Sequence, residues 1–360
     1  MKQEIMEEAR RLRKQLHETP ELAFSEHRTK AILIKYLTTR TNLPVADCGK
    51  WFYAIKKGTD SRESIAFRAD YDAVMGKDGV PGHFCGHDGH AAILAAFGRY
   101  LSEIRTEKTI YLLFQPAEET GQGALLCRDI IKEKNIQEIY GFHNIPGFEQ
   151  NSVLLLPGTF ACASTGMEIT ITGTPSHAAY PEAGKNPAGV IASLIQFKDI
   201  LLQKDCYNGM VLGTVIGVAV GSEAYGVSAG KGTLRLTVRA EKEEDFQSII
   251  SAFQTQAEEL SRRNGMKCMI RFIEPFPSTE NDRDCIEKVR RAALENHKKI
   301  IIPPEPFRWS EDFGYYLQET RGAFFGIGAG ENHPQLHTED YSFPDEIMET
   351  VLDLYCALIV

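Results

Sequence analysis

The sequence predicts an α/β protein: a main domain with a central sheet flanked by helices, interrupted by a smaller inserted α+β domain. Three observations carry this. Through residues 1–165 short extended runs alternate with helical periodicities, the pattern of a layered sheet with crossover helices. Over residues 166–274 the rhythm restarts as strand, helix, two strands, helix, strand. Past Pro275-Phe276-Pro277 the first pattern resumes over 275–360, so the main domain is discontinuous.

Residues 3–16 carry apolar side chains at helical spacing and stop at Thr19-Pro20, because proline holds its predecessor extended. Residues 25–37 repeat that spacing behind a capping serine, and the runs at 51–56 and 64–68 read as strands. A helix over 88–104, a strand over 109–115, a helix over 123–134 and a strand over 137–142 follow. In the insertion, a strand over 167–172, a helix over 187–204, strands over 210–220 and 234–240, a helix over 243–264 and a strand over 267–273 form a ferredoxin-like βαββαβ unit. Pro275-Phe276-Pro277 reads as a hinge. Helices over 282–297 and 345–358 then flank a strand at 323–327.

A chain of 360 residues suffices for two domains of roughly 150 residues and a large core without staples. With 43% hydrophobic and 25% charged residues, disordered, collagen-like and disulfide-dense classes are excluded. The formal charge of -9 repels phosphate backbones, and the basic run Arg10-Arg11-Leu12-Arg13-Lys14 follows Glu7 and Glu8 on a helical stretch that reads as a solvated face. No nucleic-acid partner is expected. The acidic N-terminus lacks the apolar core of a signal peptide, and the longest greasy run, 210–220, is about half a membrane span. A cytoplasmic protein with no membrane partner is expected. Eight cysteines (48, 85, 127, 162, 206, 268, 285, 356) show no disulfide spacing, and only Cys85 has coordinating neighbours.

Open α/β sheets bind ligands beyond the carboxyl ends of their strands. Four clusters sit at such ends: Arg68-Ala69-Asp70-Tyr71-Asp72 leading to His83-Phe84-Cys85-Gly86-His87-Asp88-Gly89-His90; Gln115-Pro116-Ala117-Glu118-Glu119; Gly141-Phe142-His143; and the stretch through Gly328 and Gly330 to His333 and His337. Singly, a loop histidine or a glutamate pair reads as a solvated turn. At equivalent ends of successive strands they converge. Gly86 lets a tight turn aim Cys85 and His87 into one volume. Glu119, His143 and His337 complete five metal-ligating candidates, more than one tetrahedral ion needs and suited to two divalent ions around a bridging ligand, for which Cys85 is placed. Zinc suits the thiolate and imidazoles; manganese is compatible with the carboxylate.

At these residues the chain resembles the M20 metallopeptidase and amidohydrolase superfamily, in its hippurate hydrolase-like branch of N-acyl-amino-acid deacylases. Arg13-Lys14-Gln15-Leu16-His17-Glu18-Thr19-Pro20-Glu21-Leu22, the Arg68 to Asp72 run, Cys85-Gly86-His87-Asp88-Gly89-His90, Phe114-Gln115-Pro116-Ala117-Glu118-Glu119 and Ser176-His177-Ala178-Ala179-Tyr180-Pro181 carry the resemblance over nearly the whole chain. It implies a dinuclear site of Cys85, His87, Glu119, His143 and His337, and Glu118 as the general base toward a metal-activated water. It also implies that the inserted segment is a lid or dimerisation domain, that His177 stabilises the oxyanion from this lid, often across a dimer, and that Arg239 grips a substrate carboxylate. The implied reaction is amide hydrolysis of a small N-acyl amino acid, and the implied assembly a homodimer or larger homo-oligomer.

His90 and Asp70 read as residues that orient a ligand rather than bind metal, Asp88 as a helix cap, His17 as a helix end, and Glu311-Asp312-Phe313 as pocket wall. Departures from the family pattern are Gly226 where asparagine is usual, a short 73–82 stretch, Glu182 where histidine is common and Asn186 where aspartate is common. Competing readings are a dipeptidase of the same superfamily, a metal-independent cysteine hydrolase using Cys85, and a non-catalytic metal-binding protein.

Overall fold

Apolar runs without alternation belong to strands covered on both faces, and the larger sheet is built from such runs. The computed structural model describes residues 2–60, 62–203 and 205–360. Ser64–Asp70 and Glu138–Pro146 are buried along their whole lengths. They lie between Thr109–Gln115 and Arg321–Gly330, and these four strands run parallel. Phe52–Lys56 and Val45–Asp47 extend the sheet antiparallel on one side; Val153–Leu154 and Ile300–Ile301 complete it on the other. Because the central strands are parallel, Asp70, Gln115, Pro146 and Gly330 all end at one edge.

Helices seal this sheet. His87–Glu103 buries a run of alanines, and a Cβ at Gly98 would stand 3.0 Å from Leu112 and Leu37, so the helix closes tightly there. Lys2–His17 buries Ile5, Met6, Ala9, Leu12 and Leu16 on one stripe. Arg283–Glu295 begins at Asp282, whose carboxylate accepts from the Asp284 and Cys285 amides, each at 3.0 Å. The helix expected over 123–134 is two short ones, Gly123–Cys127 and Ile130–Glu133. Between them the Ile131 amide bonds back to Arg128 rather than one residue further, a tighter turn that interrupts the helical ladder.

The chain divides into two compact units, one of 1–160, 279–306 and 311–360, the other of 161–278 and 307–310. In the second, strands Val211–Val220, Lys231–Ala240, Ala163–Thr172 and Lys267–Phe276 form, in that order, an antiparallel sheet, the ferredoxin-like arrangement of a βαββαβ chain. Leu234, Leu236 and Val238 alternate inward and bury against helices Ala188–Leu202 and Glu243–Arg263. The last residue of the helix expected over 187–204 lies outside the described residues. The expected division at 166 falls inside a continuous strand. Likewise Pro275 is no hinge: Lys267–Phe276 stays extended through it. It is an outer strand with a register shift opposite Ser164 and Gly166, where a proline is tolerated. Among the described residues no helix is long and apolar enough to cross a membrane.

One polar group penetrates the larger core. Arg68, 2% exposed, bonds Gln115 at 2.8 Å, Asp70 at 2.6 Å, Glu311 at 3.0 Å and Asp312 at 2.7 Å. Burial works against its charge, but Asp70, Glu311 and Asp312 outweigh burial and hold the guanidinium protonated. Arg68→Met strips three buried carboxylates of their counter-ion and is expected to cost about 3–5 kcal/mol. The readout is a lowered urea midpoint at unchanged slope; a wild-type midpoint would show that the carboxylates do not depend on it.

Candidate metal centre

Three turns of the site are each shaped by a residue with positive φ: Gly86, Ala117 and His337. Gly86 has φ +92°, and a Cβ there would stand 2.7 Å from Asn144 Oδ1 and 3.0 Å from Phe343. Glycine alone fits, so Cys85 and His87 turn inward together. Ala117, at φ 54°, adopts a left-handed conformation that costs a non-glycine residue about 1–3 kcal/mol. Its amide donates to Glu26 Oε1 at 2.9 Å and its carbonyl accepts from Gly123 at 3.1 Å, which fixes the turn and points Glu118 and Glu119 in different directions. His337, at φ 63°, is anchored by its amide on the Phe84 carbonyl at 2.8 Å, next to Cys85.

These turns bring together the five side chains expected as ligands. Cys85 Sγ lies 3.4 Å from His143 Nε2, His87 Nε2 3.7 Å from Glu119 Oε1, and His337 Nε2 3.4 Å from the same oxygen. Donor atoms of Cys85, His87 and His143 lie within 4.8 Å of one another, as do those of Cys85, Glu119 and His337. With bonds of about 2.0–2.3 Å, ligands round one tetrahedral zinc stand roughly 3.3–3.8 Å apart, the spacing of these pairs. His87 Nε2 and Glu119 Oε1 are buried with no hydrogen-bond partner. Orphaned donors facing each other at ligand spacing fit a cation between them.

The imidazoles are oriented from behind. His87 Nδ1 bonds Asp72 Oδ1 at 3.0 Å, and since a carboxylate can only accept, Nδ1 carries a proton and the neutral ring presents its Nε2 lone pair toward the cluster. His143 Nδ1 donates to the Asn144 carbonyl at 2.9 Å, with the same result. Asp72 Oδ2 also accepts the Glu119 amide at 3.1 Å, so one carboxylate holds two candidate ligands. Electrostatics agree with a cation site. Burial disfavours a charged His87, yet Asp70, Asp72 and Glu119 push its pKa up to about 10. Burial, Glu119 and Glu118 push the Cys85 thiol far up. Glu118 is raised by burial, then by Glu311, Glu119 and Asp312. One Glu118 oxygen, Oε1, accepts the Asp312 amide at 3.3 Å, and the other lies 4.0 Å from His87 Nε2.

Several supporting residues sit elsewhere than expected. Asp72, not Asp70, orients His87; Asp70 bonds His90 Nδ1 at 2.6 Å, and His90 Nε2 meets Asn144 Oδ1, so both nitrogens of His90 are taken. Asp88 is no cap: Gly86 precedes the helix, and Asp88 pairs with His17 at 2.8 Å and with Arg13. Glu311 and Asp312 are buried partners of Arg68 rather than mere wall. Sequence reasoning missed Asp72, Asn144 and Glu26. The signal was there for Asp72, which lies two residues past Asp70 and next to the same strand end.

His177 and Arg239 belong to the second unit. His177 is exposed, bridges Val227, and accepts the Ala179 amide on Nδ1 at 3.0 Å, which leaves Nε2 as the donating nitrogen. Arg239 donates from Nη1 to the Arg308 carbonyl at 2.9 Å and Ser310 Oγ at 3.1 Å. A Cβ at Gly226 would meet nothing within 4 Å, so a missing asparagine leaves open space there.

The chain and its fold are similar to those of known proteins. The chain is 28% identical over 358 residues to the N-acetyldiaminopimelate deacetylase of Leuconostoc mesenteroides, covering 92% of this chain and 91% of that one. Its fold is that of the YXEP protein of Bacillus subtilis, a dinuclear metal-binding peptidase of the M20 family, with TM-score 0.81, 24% identity and coverage of 99% and 97%. An aminohydrolase of methicillin-resistant Staphylococcus aureus superposes with TM-score 0.88 at 19% identity, covering 100% of this chain and 99% of that one. Residues 66–360 match the family model described as peptidase family M20/M25/M40. The chain therefore belongs to peptidase family M20/M25/M40 and is an amide-bond hydrolase.

Proposed function

We propose that the protein hydrolyses the amide bond of N-acyl amino acids, with two divalent ions, zinc or manganese, held by Cys85, His87, Glu119, His143 and His337. The observation that carries this is the pair of buried orphan atoms, His87 Nε2 and Glu119 Oε1, inside a cluster of ligand-spaced donors. Divalent ions in that cluster would supply Lewis acidity toward a water and an amide carbonyl. Glu118 takes the proton from the attacking water at Oε2, the oxygen that faces His87, and returns it to the departing nitrogen as the C–N bond breaks. His177 Nε2 donates to the developing oxyanion, and the Arg239 guanidinium holds the substrate carboxylate. The substrate class is supported by the deacetylase relative, whose named substrate is itself an N-acyl amino acid.

The eight cysteines are all free, as suits a reducing cytoplasm. The second unit offers a surface for a homodimer: Val211–Val220 is an outer strand with Ile216 63% and Val218 48% exposed. Val218→Lys should convert a dimer into monomers by light scattering; a wild-type chain that runs as a monomer ends that reading.

A cysteine hydrolase is the second reading, since Cys85 and His143 are within bonding distance. Against it, the thiol is buried among carboxylates that raise its pKa, whereas reactive thiolates need an electropositive setting. Chelation separates the two. Metal removal should abolish hydrolysis of N-acetyl and N-benzoyl amino acids and zinc or manganese restore it; activity that survives would favour Cys85. Faster cleavage of dipeptides would favour a dipeptidase. Glu118→Gln should lower kcat about 10²–10⁴-fold with bound metal unchanged, and unchanged turnover would remove Glu118 as base.

A further inference from the structure

Glu118 is aimed by something outside the metal cluster. Its Oε1 takes a single backbone donor, the Asp312 amide at 3.3 Å, which leaves Oε2 facing His87. That amide is held by a clamp. Glu311 Oε1 accepts both the Phe313 amide at 3.1 Å and Arg68 Nη2 at 3.0 Å, closing the turn around residue 312. Asp312 is tied in turn to Gln115 at 2.8 and 2.9 Å, to the Ala124 amide at 2.8 Å and to Arg68 at 2.7 Å. Glu118, Glu311 and Asp312 have carboxylate oxygens within 4.8 Å of one another, and all three residues are buried. Gln115, three residues ahead of Glu118, also accepts from Tyr316 at 3.0 Å, so base and clamp share one framework.

We propose that Glu311 is a positioning residue for Glu118: by closing the 311–313 turn it presents the Asp312 amide to one oxygen of Glu118 and so directs the other at the reaction. This rests on the reading of Glu118 as the base. Because one oxygen of Glu311 takes both bonds, an amide of the same length can replace it, whereas a shorter carboxylate cannot reach. A role for the charge itself would demand the opposite order.

The test is E311D against E311Q in the metal-loaded enzyme, with E118Q alongside, reading kcat, KM and bound metal. E311D draws the carboxylate back by about 1.5 Å and is expected to lower kcat about 10- to 100-fold while KM and metal content hold. E311Q, which keeps the length that closes the turn, is expected to lose clearly less kcat than E311D. E311Q losing as much as E311D, or E311D keeping wild-type kcat while E118Q is inactive, overturns the positioning role alone. E118Q retaining kcat overturns the base reading and this proposal with it.

Discussion

Arg68 must keep its charge where no water reaches it, and the larger unit is arranged to let it. Its partners are acids from distant places in the chain: Asp70 from its own strand end, and Glu311 and Asp312 from a turn more than two hundred residues later. None of these carboxylates could be buried alone without a desolvation cost of several kcal/mol. The same acids do further work. Asp70 fixes His90, whose other nitrogen locks Asn144, and the Asn144 amide supports the Cys85 carbonyl at 3.1 Å. A line of polar contacts thus runs from the guanidinium to the backbone carbonyl of Cys85, through Asp70, His90 and Asn144.

What was legible in the sequence followed from periodicity and from chain order at strand ends. Lys231–Ala240 alternates inward and outward, so its pattern declared a half-covered strand; Ser64–Asp70 is buried throughout and declared a central one. Cys85, His87, Glu119 and His337 could be proposed because each follows a parallel strand, and parallel strands finish together; His143, expected just past a strand over 137–142, lies inside Glu138–Pro146. Val153–Leu154 and Ile300–Ile301 are two residues each, too short to show a period. The break between Cys127 and Ile130 depends on one hydrogen bond choosing a nearer acceptor, which composition does not encode.

Side-chain direction was the least legible property. Asp70 and Asp72 differ by two positions in one loop, and which of them meets His87 depends on how the chain leaves the strand. Glu311 and Asp312 read as pocket wall because their counter-ion Arg68 lies in another motif. Here the relevant information is pairwise: each acid makes sense only once Arg68 is known to be its neighbour.

The left-handed conformation of His337 has a bearing on how the protein is made. Its amide rests on Phe84, so the last of the proposed donors is seated by the same loop that carries the first. In chain order residue 337 comes after every other proposed donor, 250 positions beyond His87. A nascent chain that has reached residue 143 therefore carries four of the five proposed donors, and the nest stays one imidazole short until the segment that rests on Phe84 is made.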